Sequence, residues 1–179
     1  GVMILHLGIL GTADIAYRRF LPALCNQDDI EYIGIASRNI EKTKKFVTQF
    51  GGKPYASYDD LLKDETINAV YIPLPPALHY DWARKALEYG KHVLLEKPFT
   101  VDSKKTEQLI ELANKKDLVL HENYMFLYHK QLKLIKEYIS DDVFGETRLI
   151  RTAFGFPFRG AQDFRYSKAL GGGALLDCG

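Results

Sequence analysis

The chain has 179 residues, 46% hydrophobic and 26% charged, a composition ordinary for a globular protein with room for one domain and part of another. Its 24 basic and 23 acidic side chains leave a formal charge of +1, which gives no basis for a nucleic-acid or anionic-membrane surface. No apolar run reaches the ~18 residues of a membrane span, the start lacks a basic and apolar leader, and Cys25 and Cys178 stand in no metal-like spacing, so the expectation is a cytoplasmic protein with no metal and no disulfide.

The first expected element is a strand at 3–10, running into the turn Gly8-Ile9-Leu10-Gly11-Thr12-Ala13-Asp14-Ile15-Ala16. A helix follows over 14–25, with apolar Ile15, Ala16, Phe20, Leu21 and Leu24 on one face and Pro22 placed to kink it. Next come a strand at 30–36, a helix over 40–50 stopped by Gly51-Gly52, and a short strand at Pro54-Tyr55. Ser57 is placed to cap a helix over 58–64. Strands at 67–72, 92–95 and 118–121 alternate with helices over 77–89 and 103–116. The apolar runs are nearly continuous, as in strands buried on both faces. The fold class is therefore α/β, a doubly wound, mostly parallel Rossmann sheet, over residues 1–121. From residue 122 the rhythm changes. A helix at 130–139, a strand at 146–154 and an aromatic, basic loop at 155–170 read as the opening of a second, α+β domain, spanning 122–179. The last stretch, Gly171 to Gly179, reads as a helix begun, and the chain as a piece of a longer protein.

The turn after the first strand has the form Gly11-x-Ala13-x-x-Ala16, with Ala13 where the Gly-x-Gly-x-x-Gly/Ala fingerprint carries its second glycine. It is either a plain βα turn or a phosphate cradle in which the backbone of Thr12, Ala13, Asp14 and Ile15 faces a dinucleotide. An NAD site usually places an acid at the end of the second strand. Here the segment is Ala36-Ser37-Arg38-Asn39. Arg38 offers a planar fork for a 2′-phosphate, with Ser37 beside it and Lys42 a turn later, so the expected cofactor is NADP rather than NAD. The other reading of these residues is a solvated helix start. The prolines of Pro73-Leu74-Pro75-Pro76 stiffen a loop that would place Leu74 and Pro75 over the nicotinamide. His79 either reaches the cofactor or ties the local fold. Glu96-Lys97-Pro98 lies at a strand's carboxyl end, where an open α/β sheet puts its chemistry.

Taken together, these motifs resemble the glucose-fructose oxidoreductase / inositol dehydrogenase (Gfo/Idh/MocA) family. The resemblance runs in order through residues 8–16, Ala36-Ser37-Arg38, residues 72–79, 90–98 and 171–179. The stretch 122–131 and Asp163-Phe164-Arg165-Tyr166 look most like a narrower branch of nucleotide-sugar 3-ketoreductases, with NADP-dependent aldose dehydrogenases nearby. The resemblance implies hydride transfer between NADP and a sugar or nucleotide-sugar ketone or hydroxyl. Lys97 would bind and polarise the substrate oxygen. Asp177 would orient a proton-handling His or Tyr at position 181, beyond this chain, which alone would not turn over. Glu96, Lys97, Asn123 and Arg165 would join the cofactor contacts, the Lys97–Pro98 peptide would be cis, and the full protein would form a homo-oligomer through its C-terminal sheet. The alternatives are an aldose or trans-dihydrodiol dehydrogenase of the same family and, in another class, a non-catalytic NADP sensor.

Overall fold

The computed structural model describes residues 4–124, 130–141, 145–146, 148–149, 151, 153 and 155–178. Six strands form one parallel sheet: β1 (Leu5–Leu10), β2 (Ile30–Ala36), β3 (Lys53–Tyr55), β4 (Ala69–Ile72), β5 (His92–Glu96) and β6 (Leu120–Asn123). Their order is β3-β2-β1-β4-β5-β6, so the direction of winding reverses between β1 and β4. In such a sheet the crevice outside the carboxyl ends at that reversal is where ligands bind.

Successive residues of the central strands enter opposite cores. Leu10, Ala36 and Ile72 join Leu61, Leu62, Leu95 and Leu109 on one face. Ile9, Ile35 and Tyr71 join Leu21 and Phe46 on the other. Both faces being buried is the physical reason for the unbroken apolar runs. The sheet also depends on Gly34. A Cβ there would stand 2.2 Å from the Lys53 carbonyl oxygen, so no other residue lets β3 close on β2.

The helices are α1 (Leu21–Leu24), α2 (Lys44–Phe50), α3 (Tyr58–Lys63), α4 (His79–Glu88), α5 (Ser103–Lys115), α6 (Lys130–Ser140) and α7 (Ala174–Cys178). Ser57 does cap α3, its side chain accepting from the Asp60 N–H at 3.0 Å. Asp102 caps α5 in the same way through Lys104. None of these helices among the described residues is long and apolar enough to cross a membrane.

Some expectations shift. The helix at 14–25 is not uniform: Ala16–Phe20 is a π-helical turn, with the Leu21 N–H reaching back to the Ala16 carbonyl, before α1 begins. Pro22 lacks an N–H, so the regular ladder could not have continued through it. The last strand is Leu120–Asn123 rather than 118–121, because the Leu118 N–H bonds the Ala113 carbonyl and closes α5. Of the strand expected at 146–154, residues 147, 150, 152 and 154 lie outside the described residues. The described ones take no strand, since a strand needs a paired neighbour and none is present among the described residues.

Candidate functional site

Three loops meet at the reversal between β1 and β4. Gly11 takes φ +104°, a left-handed conformation that glycine adopts freely, and its N–H donates to the Ala36 carbonyl at 2.9 Å. A Cβ on Gly11 would stand 2.7 Å from Leu74 Cδ2 and 3.9 Å from the Tyr58 hydroxyl. The turn thus touches both the end of β2 and the loop after β4. The first helical hydrogen bonds run from Ala16 and Tyr17 back to the Ala13 carbonyl, at 3.1 and 3.4 Å. The N–H groups of Thr12, Ala13, Asp14 and Ile15 therefore lie ahead of the helical ladder, the arrangement that receives phosphate oxygens. Asp14 is exposed and pairs with Arg18 at 3.4 Å. The residues present fit a dinucleotide.

At the end of β2, Ser37 is buried. Its N–H donates to the Tyr55 carbonyl and its Oγ accepts from the Asn39 N–H, both at 3.2 Å. This turn sends the exposed Arg38 outward, with its guanidinium charge close to the Tyr58 hydroxyl. Burial raises the Tyr58 pKa while Arg38 opposes the shift. Tyr58 thus joins Arg38 to the glycine turn, a role that nothing in its sequence setting signals. Lys42 is exposed on the 3-10 turn Ile40–Thr43.

The fourth part lies at the end of β5. The Lys97–Pro98 peptide is cis. Lys97 Nζ donates to both the backbone oxygen and Oδ1 of Asp177, each at 2.5 Å. The other carboxylate oxygen of Asp177 accepts from Arg165 Nε at 3.3 Å, and Arg165 also pairs with Asp163 at 3.2 Å. The Arg165 guanidinium lies 4.5 Å over the Phe164 ring. Lys97 at the end of β5 and Asp163, Arg165 and Asp177 near the end of the chain thus form one charged cluster. An ammonium has three N–H donors; with two on Asp177, the third is available for an incoming oxygen. Arg165, expected against the cofactor, engages the two aspartates.

Glu96 and Asn123 are also brought together, on each other: Glu96 Oε1 accepts from Asn123 Nδ2 at 2.8 Å and from the Tyr71 hydroxyl at 2.6 Å. Burial, then the Glu96 charge, push the Tyr71 hydroxyl far above its ordinary pKa, so it stays a proton donor. Tyr71 in turn stacks on Phe20 at 3.8 Å. The pair braces the strand ends beneath Lys97.

Leu74 is buried above Gly11, and Pro75 is half-buried beside it. His79, expected either at the cofactor or tying the local fold, sits between the loop after β4 and the Lys97–Pro98 turn. It is wholly buried with both ring nitrogens on backbone carbonyls, those of Pro98 and Leu74. Beside Arg165 opens a cavity of about 650 Å³, lined by Ala77, Val101, Tyr166, Lys168 and Gly172 among others.

The sequence profile of a family described as "Oxidoreductase family, NAD-binding Rossmann fold" matches residues 5–124. The chain is 43% identical over 175 residues to a dTDP-3,4-didehydro-2,6-dideoxy-alpha-D-glucose 3-reductase from Actinomadura kijaniata, covering 98% of the chain and 53% of the relative. It is 34% identical to a D-xylose 1-dehydrogenase (NADP(+)) from Haloferax volcanii, covering 96% of the chain and 53% of the relative. Among solved structures, a 3-ketoreductase from Actinomadura kijaniata in complex with NADP and TDP-benzene superposes with a TM-score of 0.92 at 43% identity, over 98% of this chain and 54% of that one. The chain spans about half the length of these relatives. On the profile match, the sheet order and the glycine turn, the chain belongs to the Gfo/Idh/MocA oxidoreductase family, with its NAD-binding Rossmann fold.

Proposed function

We propose that the chain is the cofactor-binding part of an NADP-dependent oxidoreductase acting on the keto or hydroxyl group of a nucleotide-linked sugar. The observation that carries this reading is the Lys97 ammonium, fixed by Asp177 at the carboxyl end of β5 with one donor to spare. NADP(H) bound along the glycine turn would give or take the hydride. In the reductive direction the carbonyl carbon gains the hydride, and its electron pair moves to oxygen. Lys97 stabilises that oxygen as charge builds on it, and a proton from an acid/base residue then completes the hydroxyl. Arg38, with no acid at the end of β2, supports NADP over NAD. The relatives named as a dTDP-sugar 3-reductase and as a ketoreductase crystallised with TDP-benzene support a nucleotide-sugar substrate. The cavity beside Arg165 leaves space for the bulk of such a molecule.

An aldose or diol dehydrogenase is the second reading, favoured by the xylose dehydrogenase and by a trans-1,2-dihydrobenzene-1,2-diol dehydrogenase from Xenopus laevis, also 34% identical. The test is single-turnover hydride transfer in the full-length enzyme. Lys97→Met is expected to slow it about 10²-fold or more while NADPH affinity stays near the native value. A near-native rate removes Lys97 from the chemistry.

A further inference from the structure

His79 is wholly buried, yet each ring nitrogen lies 2.7 Å from a backbone carbonyl oxygen, Nδ1 against Pro98 and Nε2 against Leu74. A neutral imidazole has one N–H and donates to only one of these; the doubly protonated ring donates to both. The two carbonyls belong to the two loops that build the site. Leu74 packs over Gly11, and Pro98 directly follows Lys97.

We propose that His79 is a positioning residue for Lys97: its ring ties the loop after β4 to the Lys97–Pro98 turn, with one bond when it holds one proton and two bonds when it holds two. The tie stands on geometry, and its bearing on turnover rests on the role proposed above for Lys97.

The charged groups on the surrounding elements are few. Glu96 and Lys97 lie at the end of β5, and Glu122 on β6 accepts from the Phe99 N–H at 2.9 Å. On β4, Tyr71 is held on Glu96. On the histidine's own helix, Asp81 is exposed. Burial holds the His79 pKa below its ordinary 6.5, while hydrogen bonds to the backbone of Pro98, Leu74 and Phe99, and then the Glu96 charge, pull the other way. The ring is therefore neutral at neutral pH, and the second bond forms only as pH falls below 6.5.

Isotope-edited NMR of the chain tests this by following the His79 ring and the Lys97 Cε signal from about pH 8 to about pH 5, the range in which histidine titrates. The expected result is a His79 midpoint below 6.5, with a step in the Lys97 signal at the same midpoint. In His79→Gln, which keeps an amide donor but cannot titrate, that step is lost. A flat Lys97 signal, a step that persists in His79→Gln, or a His79 ring that does not titrate in this range overturns the proposal. Should His79→Gln not fold, the two native titration curves still decide, because separate midpoints break the tie. Neither readout needs bound NADPH, so failure of the functional reading is seen separately.

Discussion

In the proposed function, Lys97 and Arg38 divide the work of the site between them. Lys97 donates two short hydrogen bonds to Asp177 and, in that function, faces the reacting oxygen. Arg38 stands at the outer end, its guanidinium close to Tyr58 and exposed to solvent. If Arg38 pairs with a 2′-phosphate, Arg38→Ala weakens NADPH binding by about 1.5–3 kcal/mol, the range for a hydrogen bond to a charged group, and leaves NADH nearly unchanged. Calorimetric titration of both nucleotides checks it, and an equal loss for the two would move Arg38 off the phosphate. Residue types announced these two groups, because a planar fork after β2 and an ammonium at a strand end each have a chemical use. The Asp177–Arg165 contact had no such signal. Its partners are joined only when the turns of Phe164–Tyr166 and Lys168–Leu170 fold back.

At the scale of elements, the sheet is held at its other end by Asp64. Its carboxylate accepts from the Thr66 N–H and hydroxyl and from the Tyr55 hydroxyl, at 3.0, 2.6 and 2.7 Å, tying β3 to the entry of β4. These bonds, those of Thr66 first, hold its pKa far below the usual carboxylate range. A depressed carboxylate pKa contributes stability that is fully present above the unfolded value, about 3.9, and is lost as pH falls below it. Asp64→Asn should therefore lower the unfolding free energy by about 1.5–3 kcal/mol at neutral pH. The gap to the native chain should narrow as pH drops from about 4 toward 2; denaturant unfolding at several pH values checks it, and a gap independent of pH would contradict it. Element types were legible in the sequence because each period matched one environment: continuous apolar runs for strands buried on both faces, and 3.6-residue spacing for the helices between them. Boundaries were less so. Leu118 is apolar, yet its N–H is spent on closing α5. Ile67 likewise bonds the Asp64 carbonyl before β4 begins.

Among the described residues, burial is unequal. The two cores on either side of the sheet hold β1, β2, β4 and β5, whereas α6 buries none of its residues and exposes Leu132, Leu134, Ile135, Tyr138 and Ile139. An isolated helix of this length is marginal in water. Amide hydrogen exchange should show the central strands protected up to the global unfolding limit and α6 exchanging orders of magnitude faster; equal protection would mean that α6 is held by packing the structure does not show. The proposed cofactor site lies at the ends of β1, β2, β4 and β5, the strands these two cores hold. The most direct test of the account is therefore calorimetric titration of this chain with NADPH and with NADH. The account predicts one NADPH bound per chain, with affinity clearly above that for NADH. Tighter binding of NADH, or no binding of either, would contradict it.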